Sequence, residues 1–307
     1  MIDFNNLLDL QIEIFLFILI GYLLNKFSII NASARKSITD LVVYIVLPCN
    51  IVYSFMIEMN ASIIQAGIMI FFVSLLIQIA CDLISRFIYP HANEEQKKVL
   101  KYATICSNAG FMGNPLIEGI YGLKGLLFAS IYLIPQRVVM WSSGIACFSE
   151  AKGREIIRKV LTHPCIIAVI VGIVIMVLQI EFPAAIDKSI MGISGCTTFL
   201  SMIVIGGILA EIEFKTVFNK LSLYYSIIRL IVIPCIVLAG CMIFQLPYLV
   251  CAVSTVLAGM PAGTTTAILA EKYHGDEKLA VKLIFLSTAL SLFTIPMLCQ
   301  IIEILIK

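Results

Sequence analysis

Long runs of apolar residues dominate this chain, and short polar or charged segments separate one run from the next. A helix needs about 20 mostly apolar residues to cross the ~30 Å hydrocarbon core of a bilayer. The pattern predicts an all-α, multi-pass membrane protein with ten transmembrane helices, called spans 1 to 10 here. Their predicted limits are 8–25, 38–57, 62–88, 97–120, 124–149, 164–181, 188–210, 220–244, 248–271 and 279–305.

The basic residues are shared unevenly between the loops that join these spans. Of the 21 Lys and Arg residues, 16 fall on one set of alternate loops and three on the other. The remaining two, Arg137 and Arg229, lie inside predicted spans. Because cytoplasmic loops collect Lys and Arg, we expect a protein of the cytoplasmic membrane with both termini extracytoplasmic.

The composition favours lipid as the main solvent. Hydrophobic residues make up 61% of the chain and charged residues 13%, with a mean hydropathy of +1.04. A soluble fold of this size needs more charged surface. The near balance of 21 basic and 19 acidic residues excludes the basic field that nucleic-acid binding requires. Ten cysteines without CxxC spacing are interpreted as buried core residues.

The order of the spans predicts an inverted repeat. Spans 1–5 occupy residues 1–149, a short cytoplasmic loop occupies 150–163, and spans 6–10 occupy 164–307. Five spans in each half force the two halves into opposite orientations, as in many secondary transporters. Each half carries one span interrupted by proline and glycine, around Pro115 in span 4 and around Pro261 in span 9.

Spans 4 and 9 are predicted to be broken near the membrane centre. Proline removes an amide donor and glycine weakens a helix, so backbone groups are freed where lipid cannot satisfy them. Two antiparallel broken spans can cross at their breaks and direct two half-helix N-termini, with their positive dipole ends, at one point. The predicted substrate-binding residues in the breaks are Asn108, Gly110, Gly113, Asn114, Pro115, Pro261, Gly263, Thr264, Thr265 and Thr266.

A purely structural interpretation of these residue types is also available, because glycine, proline and small polar residues mediate kinks and helix packing in membranes. Two breaks at equivalent positions of the repeat favour the functional interpretation. Pro48 and Asn50 in span 2 and Gly206 and Gly207 in span 7 are given at most a supporting role, since a kink or close packing explains them equally well.

Three stretches of the chain resemble the auxin efflux carrier family: CSNAGFMGNPLIEGIYG, MPAGTTTAILAEKY and TALSLFTIPM. The family includes plant PIN-type auxin carriers and bacterial permeases for malate or malonate, and the resemblance covers essentially the whole chain. The matching residues are Asn108, Met112, Gly113, Pro115 and Leu116 in span 4, and Pro261, Ala270, Glu271, Lys272 and Tyr273 in span 9.

The resemblance implies a ten-helix inverted-repeat fold in which spans 4 and 9 cross. It further implies a scaffold of spans 1, 2, 6 and 7, a transport unit of spans 3–5 and 8–10, and elevator-type motion of that unit. For PIN-type members it implies a homodimer. Arg137 stands where plant members are expected to have an uncharged residue, which disfavours auxin itself as the substrate.

Two arginines within spans need separate interpretations. Arg137 lies near the middle of span 5, where a charge is costly unless it meets an anion or a cavity. We interpret it as a substrate ligand, supported by its neighbour Gln136; the alternative is that it anchors a neighbouring helix. Arg229 lies nearer the cytoplasmic end of span 8 and is predicted to extend to the membrane interface.

These features predict a secondary transporter, an efflux carrier or permease, that moves a small organic anion by alternating access. A carboxylate or dicarboxylate is the expected substrate; an anion channel and a non-transporting membrane sensor are the alternatives. His91, His163 and His274 fall in predicted loops, so no catalytic or metal site and no cofactor is expected. Sodium coupling, proton coupling and uniport stay open. The expected partners are the anion, the lipid bilayer and a second copy of the chain.

Overall fold

The computed structural model describes residues 4–58, 60–140, 142, 147, 158, 161–210, 219–273 and 275–306. Every regular element in these residues is helical, apart from one isolated β-bridge. The α-helices are α1 (Phe4–Lys26), α2 (Ala32–Leu41), α3 (Leu47–Ser54), α4 (Ala61–Ser85), α5 (Glu94–Ile105), α6 (Asn114–Val139), α7 (Pro164–Leu178), α8 (Ala184–Leu209), α9 (Lys220–Ile227), α10 (Ile233–Ile243), α11 (Tyr248–Ala258), α12 (Thr265–Lys272) and α13 (Glu277–Ile306). Short π-helical segments are Val42–Val46, Ala109–Gly113 and Ile228–Val232.

Six helical stretches of the described residues are long and apolar enough to cross a membrane. They are Ala32–Ser54, Ala61–Ser85, Ala109–Val139, Ala184–Leu209, Lys220–Ile243 and Glu277–Ile306. The prediction of an all-α protein with several membrane spans is therefore confirmed, whereas the count of ten and the inverted repeat stay predictions. Many large apolar side chains, such as Phe72, Phe244 and Ile304, point away from the protein, as expected of a surface that lipid covers.

Asparagine side chains define where several of the helices begin. Asn31, Asn60, Asn93 and Asn219 each accept a hydrogen bond from a backbone N–H three residues later. Asn93 also forms a reciprocal capping box with Gln96. These caps satisfy donors at helix N-termini that have no partner within the helix. These four asparagines thus fix the first turns of α2, α4, α5 and α9.

One glycine separates two helical directions within α6. Gly122 has φ 64° and ψ −161°, a conformation that a residue with a Cβ adopts only under strain. It lies between residues 97–120 and 124–149, the predicted limits of spans 4 and 5. The first part of α6 therefore belongs to the second half of span 4, and the part after Gly122 belongs to span 5.

The helices pack as two sets, which the contact of α3 with α6 joins. In the first set, α1 packs along α8, and α3 packs against both α7 and α8. Close approach within this set depends on Gly206, because a Cβ added there would overlap the backbone of Ile18 and Tyr22 on α1. In the second set, α4 packs on α6, α10 on α11, and α13 on α5 and α9. Small residues at such contacts let two helix backbones approach closely.

Candidate functional site

The two predicted breaks lie side by side in the interior. Helix α5 ends at Ile105 and helix α11 at Ala258, and a few non-helical residues follow each end before the next helical segment begins. Both non-helical stretches are buried. The breaks in spans 4 and 9 therefore form one crossing point.

Backbone hydrogen bonds join the two breaks as a short antiparallel β-bridge. The amide of Asn108 donates to the carbonyl of Pro261 at 2.8 Å, and the amide of Gly263 donates to the carbonyl of Cys106 at 3.1 Å. A Cβ added to Gly263 would lie 3.0 Å from the same carbonyl oxygen of Cys106. Glycine at this position permits the close approach on which the second bond depends.

Arg229 satisfies one freed carbonyl at the end of each half-helix. Its Nε donates to the carbonyl of Met260 at 3.0 Å, and its Nη1 donates to the carbonyl of Thr104 at 2.9 Å. The residue is 3% exposed, so the prediction that it extends to the membrane interface is wrong. The reason is that α5 and α11 end at the same place, and their converging C-terminal dipoles attract a cation.

Other side chains satisfy more of the freed backbone. Gln136 donates from Nε2 to the carbonyl of Ser107 at 2.9 Å. Tyr225 donates to the carbonyl of Ala103 at 2.9 Å, and the Ser287 hydroxyl accepts from the amide of Ala262 at 3.1 Å. Sequence reasoning gave Gln136 a supporting role and missed Tyr225 and Ser287, because nothing local links them to breaks far along the chain.

A cavity of about 140 Å³ lies beside the crossing point. Seven of the residues predicted for the site line it: Asn108, Gly110, Gln136, Arg137, Gly263, Thr264 and Thr265. The other lining residues are Val43, Leu47, Ser107, Phe111, Leu133, Met140, His163 and Cys165. Mostly apolar walls with a few polar groups are typical of small-molecule sites.

Arg137 is the only Arg, Lys, Asp or Glu residue among the described residues that line this cavity. It is 5% exposed, and its Nη1 has no hydrogen-bond partner among the described residues. The side-chain amide nitrogen of Asn108, on the same cavity, likewise has no partner there. A buried donor left unsatisfied costs about 1–3 kcal/mol. Both donors are therefore available to an anion.

His163, which the sequence placed in a predicted loop and to which it gave no substrate-binding role, also lines the cavity. It caps α7, and its Nδ1 accepts a hydrogen bond from the amide of Cys165 at 3.2 Å. Burial, and then the positive charge of Arg137, lower the pKa of His163 to about 4. The ring is thus neutral at pH 7. Since Nδ1 is the acceptor, this hydrogen bond assigns the proton to Nε2, which becomes a donor.

With this geometry defined, the family of the chain follows from its sequence. Residues 8–299 match the profile of a family described as membrane transport protein. The chain belongs to this family. It is the auxin efflux carrier family to which the motifs in spans 4 and 9 point.

Two archaeal relatives match nearly the whole of this membrane transport protein. One is an uncharacterized transporter of Methanocaldococcus jannaschii, 24% identical over 302 residues that cover 94% of this chain and 97% of the relative. The other is an uncharacterized transporter of Methanothermobacter thermautotrophicus, 22% identical over 293 residues that cover 93% of this chain and 95% of the relative. Both are similar along their full length rather than in one segment.

Several predicted site residues of the membrane transport protein lie outside the lining of the cavity. Gly113 packs against Leu257, to which an added Cβ would come within 2.6 Å. Asn114 and Thr266 are fully buried, and their side-chain polar atoms have no partner among the described residues. The other residues outside the lining are Pro115 in the first turn of α6, Pro261 in the bridge, and Pro48, Asn50, Gly206 and Gly207.

Proposed function

We propose that this chain is a secondary transporter of a small organic anion, which binds in the cavity beside the crossed breaks. One observation carries the proposal: the buried guanidinium of Arg137, with Nη1 unpartnered in the described residues, lines a cavity at the crossing point. The half-helices that resume after the breaks begin at this cavity, near Asn108 and Thr265. Their N-termini add positive potential.

The size and donors of the cavity favour a carboxylate or dicarboxylate. Its volume of about 140 Å³ is well below the ~300–1,000 Å³ of pockets for drug-sized ligands. Guanidinium binds a carboxylate through two parallel hydrogen bonds. The side-chain amide nitrogen of Asn108 offers a further donor, and His163 lines the same cavity. A second carboxylate would lie against these residues, so a short dicarboxylate is the favoured substrate.

The position of the cavity between the two sets of helices supports alternating access. Val43, Leu47 and His163 line it from the set that contains α3 and α7, whereas Arg137 and the breaks belong to the other set. We infer a scaffold of spans 1, 2, 6 and 7 and a moving unit of spans 3–5 and 8–10, within a ten-span inverted repeat. Movement of one set past the other would expose a central site to each side in turn.

The orientation follows from the loops in the same proposal. His163, which lines the cavity, is the last residue of the loop of residues 150–163 that the basic residues predict to be cytoplasmic. The described conformation would then hold its site on the cytoplasmic side, with both termini outside. A homodimer formed through the scaffold set is part of the same proposal.

A binding screen on the purified full chain tests this function. Malonate, malate, acetate and indole acetate are compared by their effect on the thermal unfolding midpoint in detergent. We expect stabilisation that is largest for the dicarboxylates, because a ligand that binds the folded state stabilises it by RT ln(1 + [L]/Kd), more at a given concentration the tighter it binds. If no small carboxylate shifts the midpoint, the site is not an anion site.

Flux in proteoliposomes then separates the classes of transport protein. A carrier saturates with substrate and accelerates when counter-substrate is present on the opposite side, whereas a channel does neither. Binding without any flux would identify a sensor and overturn the transport proposal.

A further inference from the structure

A second polar cluster lies between the two sets of helices, away from the anion cavity. Asn50 on α3 donates from Nδ2 to Oε2 of Glu118 on α6 at 3.1 Å, and to the hydroxyl of Ser194 on α8 at 2.9 Å. Asn50 and Ser194 are 0% and 3% exposed. None of the three residues lines the cavity of Arg137.

Oxygen acceptors outnumber donors in this cluster. The Oδ1 of Asn50 is buried and has no hydrogen-bond partner among the described residues. Within the part of the chain that the structure describes, no basic side chain forms an ion pair with Glu118.

Such an arrangement is unfavourable without a positive charge. A partly buried carboxylate within a membrane protein is costly unless a counter-charge or a proton neutralises it. The two hydrogens of the Asn50 amide serve Glu118 and Ser194 and leave its oxygen unsatisfied, which costs about 1–3 kcal/mol. The cluster therefore offers oxygen ligands and one negative charge to a cation.

We propose that Glu118, Asn50 and Ser194 bind a monovalent alkali cation, with sodium as the first candidate. Carboxylate, amide and hydroxyl oxygens are hard ligands that suit alkali and alkaline-earth ions better than transition metals. A single carboxylate neutralises a single charge, whereas a divalent ion would leave net charge buried. Rotation of the Asn50 amide presents its unsatisfied oxygen to an ion held by Glu118.

The site rests on the proposed transport function and gives it a coupling ion. Asn50 and Ser194 belong to the scaffold set, and Glu118 belongs to the moving set. An ion would contact all three residues only when the two sets of helices have the relative position that they have in this structure. Occupancy of the site would therefore stabilise this conformation over one in which the sets have shifted.

The test uses the full chain in detergent at constant ionic strength, with NaCl, KCl, LiCl or choline chloride. We expect NaCl to raise the unfolding midpoint by about 3 °C, with a rise that grows as the logarithm of the sodium concentration above the Kd, and choline to have no such effect. Glu118→Gln should abolish the sodium response and Ser194→Ala should raise the sodium concentration needed for it several-fold. Glu303→Gln is the matched control, because Glu303 is another carboxylate that accepts a side-chain hydrogen bond, from Tyr248, and it should leave the response unchanged.

Three results would overturn the cation site. The first is an equal change of the unfolding midpoint in NaCl and choline chloride. The second is a sodium-dependent rise of the midpoint that persists in Glu118→Gln. The third is a midpoint that changes with pH but not with the alkali ion, which would mean that Glu118 binds a proton instead. If Glu118→Gln fails to fold, binding of radioactive sodium is measured on the wild-type chain and on Ser194→Ala. Saturable binding that is weaker in Ser194→Ala supports the cation site, and no saturable binding to the wild type overturns it. Malonate stabilisation measured in choline buffer reports on the anion site alone, so the two proposals fail separately.

Discussion

Two arginines are buried in the helix bundle, and their surroundings differ. Arg229 donates to the carbonyls of Met260 and Thr104, whereas Arg137 retains an Nη1 that has no partner in the described residues and lines a cavity. Among those residues, no acidic side chain forms an ion pair with either of them. The comparison separates a charge that completes the fold from one that is available to a ligand.

Helix direction explains why the two arginines differ. The C-termini of α5 and α11 meet at Arg229, and their partial negative charges stabilise its cation. The half-helices after the breaks begin on the cavity side, so the N-terminal ends add positive potential near Arg137. A guanidinium next to positive helix ends is poorly stabilised until an anion arrives. The crossing thus places a permanent cation on one side and room for an anion on the other.

The largest expected effect is that of removing Arg229. Arg229→Met leaves the carbonyls of Met260 and Thr104 without their charged donor, and each such hydrogen bond contributes about 1.5–3 kcal/mol. We expect a loss of about 3 kcal/mol or more of unfolding free energy, measured as a large fall in the unfolding midpoint and in the yield of folded protein.

Arg86→Met is the control for this prediction. Arg86 pairs with Asp82 through a side chain that is 56% exposed, and exposed pairs contribute at most about 1 kcal/mol. Equal midpoints for the two variants would contradict a structural role of Arg229.

Arg137 should respond in the opposite way. Arg137→Gln removes a buried unsatisfied charge, so the unfolding midpoint of the ligand-free protein should stay the same or rise. The affinity for malonate should fall about 10- to 100-fold, because hydrogen bonds to a charged group contribute about 1.5–3 kcal/mol. Arg137→Lys should lose less. Isothermal titration of the wild type and both variants measures the effect.

The competing interpretation of Arg137, as an anchor for a neighbouring helix, makes the reverse forecast. Under it, Arg137→Gln unfolds at lower temperature while any anion binding persists. An unfolding midpoint of Arg137→Gln equal to or above that of the wild type indicates a ligand site. A midpoint that falls, as expected for Arg229→Met, indicates a second structural arginine.

The sequence predicted the helices and both breaks because these depend on local features. Apolar runs of sufficient length mark the helices, and Gly113, Pro115, Pro261 and Gly263 indicated a break in each of two spans. In the first of these spans the interruption lies at residues 106–108, a few residues before Gly113. The pairing of the two breaks follows because spans 4 and 9 are predicted to run antiparallel and their breaks to lie at a similar depth in the membrane. Gly263 was predicted for the site only because glycine interrupts helices. In the structure, its lack of a Cβ allows the close approach to the carbonyl oxygen of Cys106.

The partners of the freed backbone groups were not predictable in this way. Arg229 contacts Thr104, which is 125 positions away in the chain, and its depth in span 8 alone suggested an interfacial position. The same limit applies to His163, which is adjacent in sequence to a charged loop but is brought to the cavity by the packing of α7. The site depends on contacts between distant helices, and one sequence contains no direct record of them.

The smallest expected effects concern His163, where two variants separate its roles. Asparagine retains a capping oxygen near the position of Nδ1, as Asn31, Asn60, Asn93 and Asn219 do elsewhere in the chain. Glutamine places an amide nitrogen near the position of Nε2 but is a poor cap. His163→Asn should keep the midpoint and weaken malonate binding about 3- to 10-fold. His163→Gln should keep binding and lower stability by about 1 kcal/mol.

The pH dependence of stability gives the finest test of the same residue. The pKa of His163 is lowered to about 4 in the folded protein, against about 6.5 in an unfolded chain. Between these values the unfolded state binds more protons than the folded state, so stability decreases as the pH falls. We expect the unfolding free energy contributed by His163 to be fully present above pH 6.5 and to decrease by up to about 1 kcal/mol between pH 7 and 5.5. His163→Asn should remove this decrease, because asparagine does not titrate. If the variant and the wild type lose the same stability over this range, His163 binds as many protons in the folded protein as in the unfolded chain, and burial does not lower its pKa.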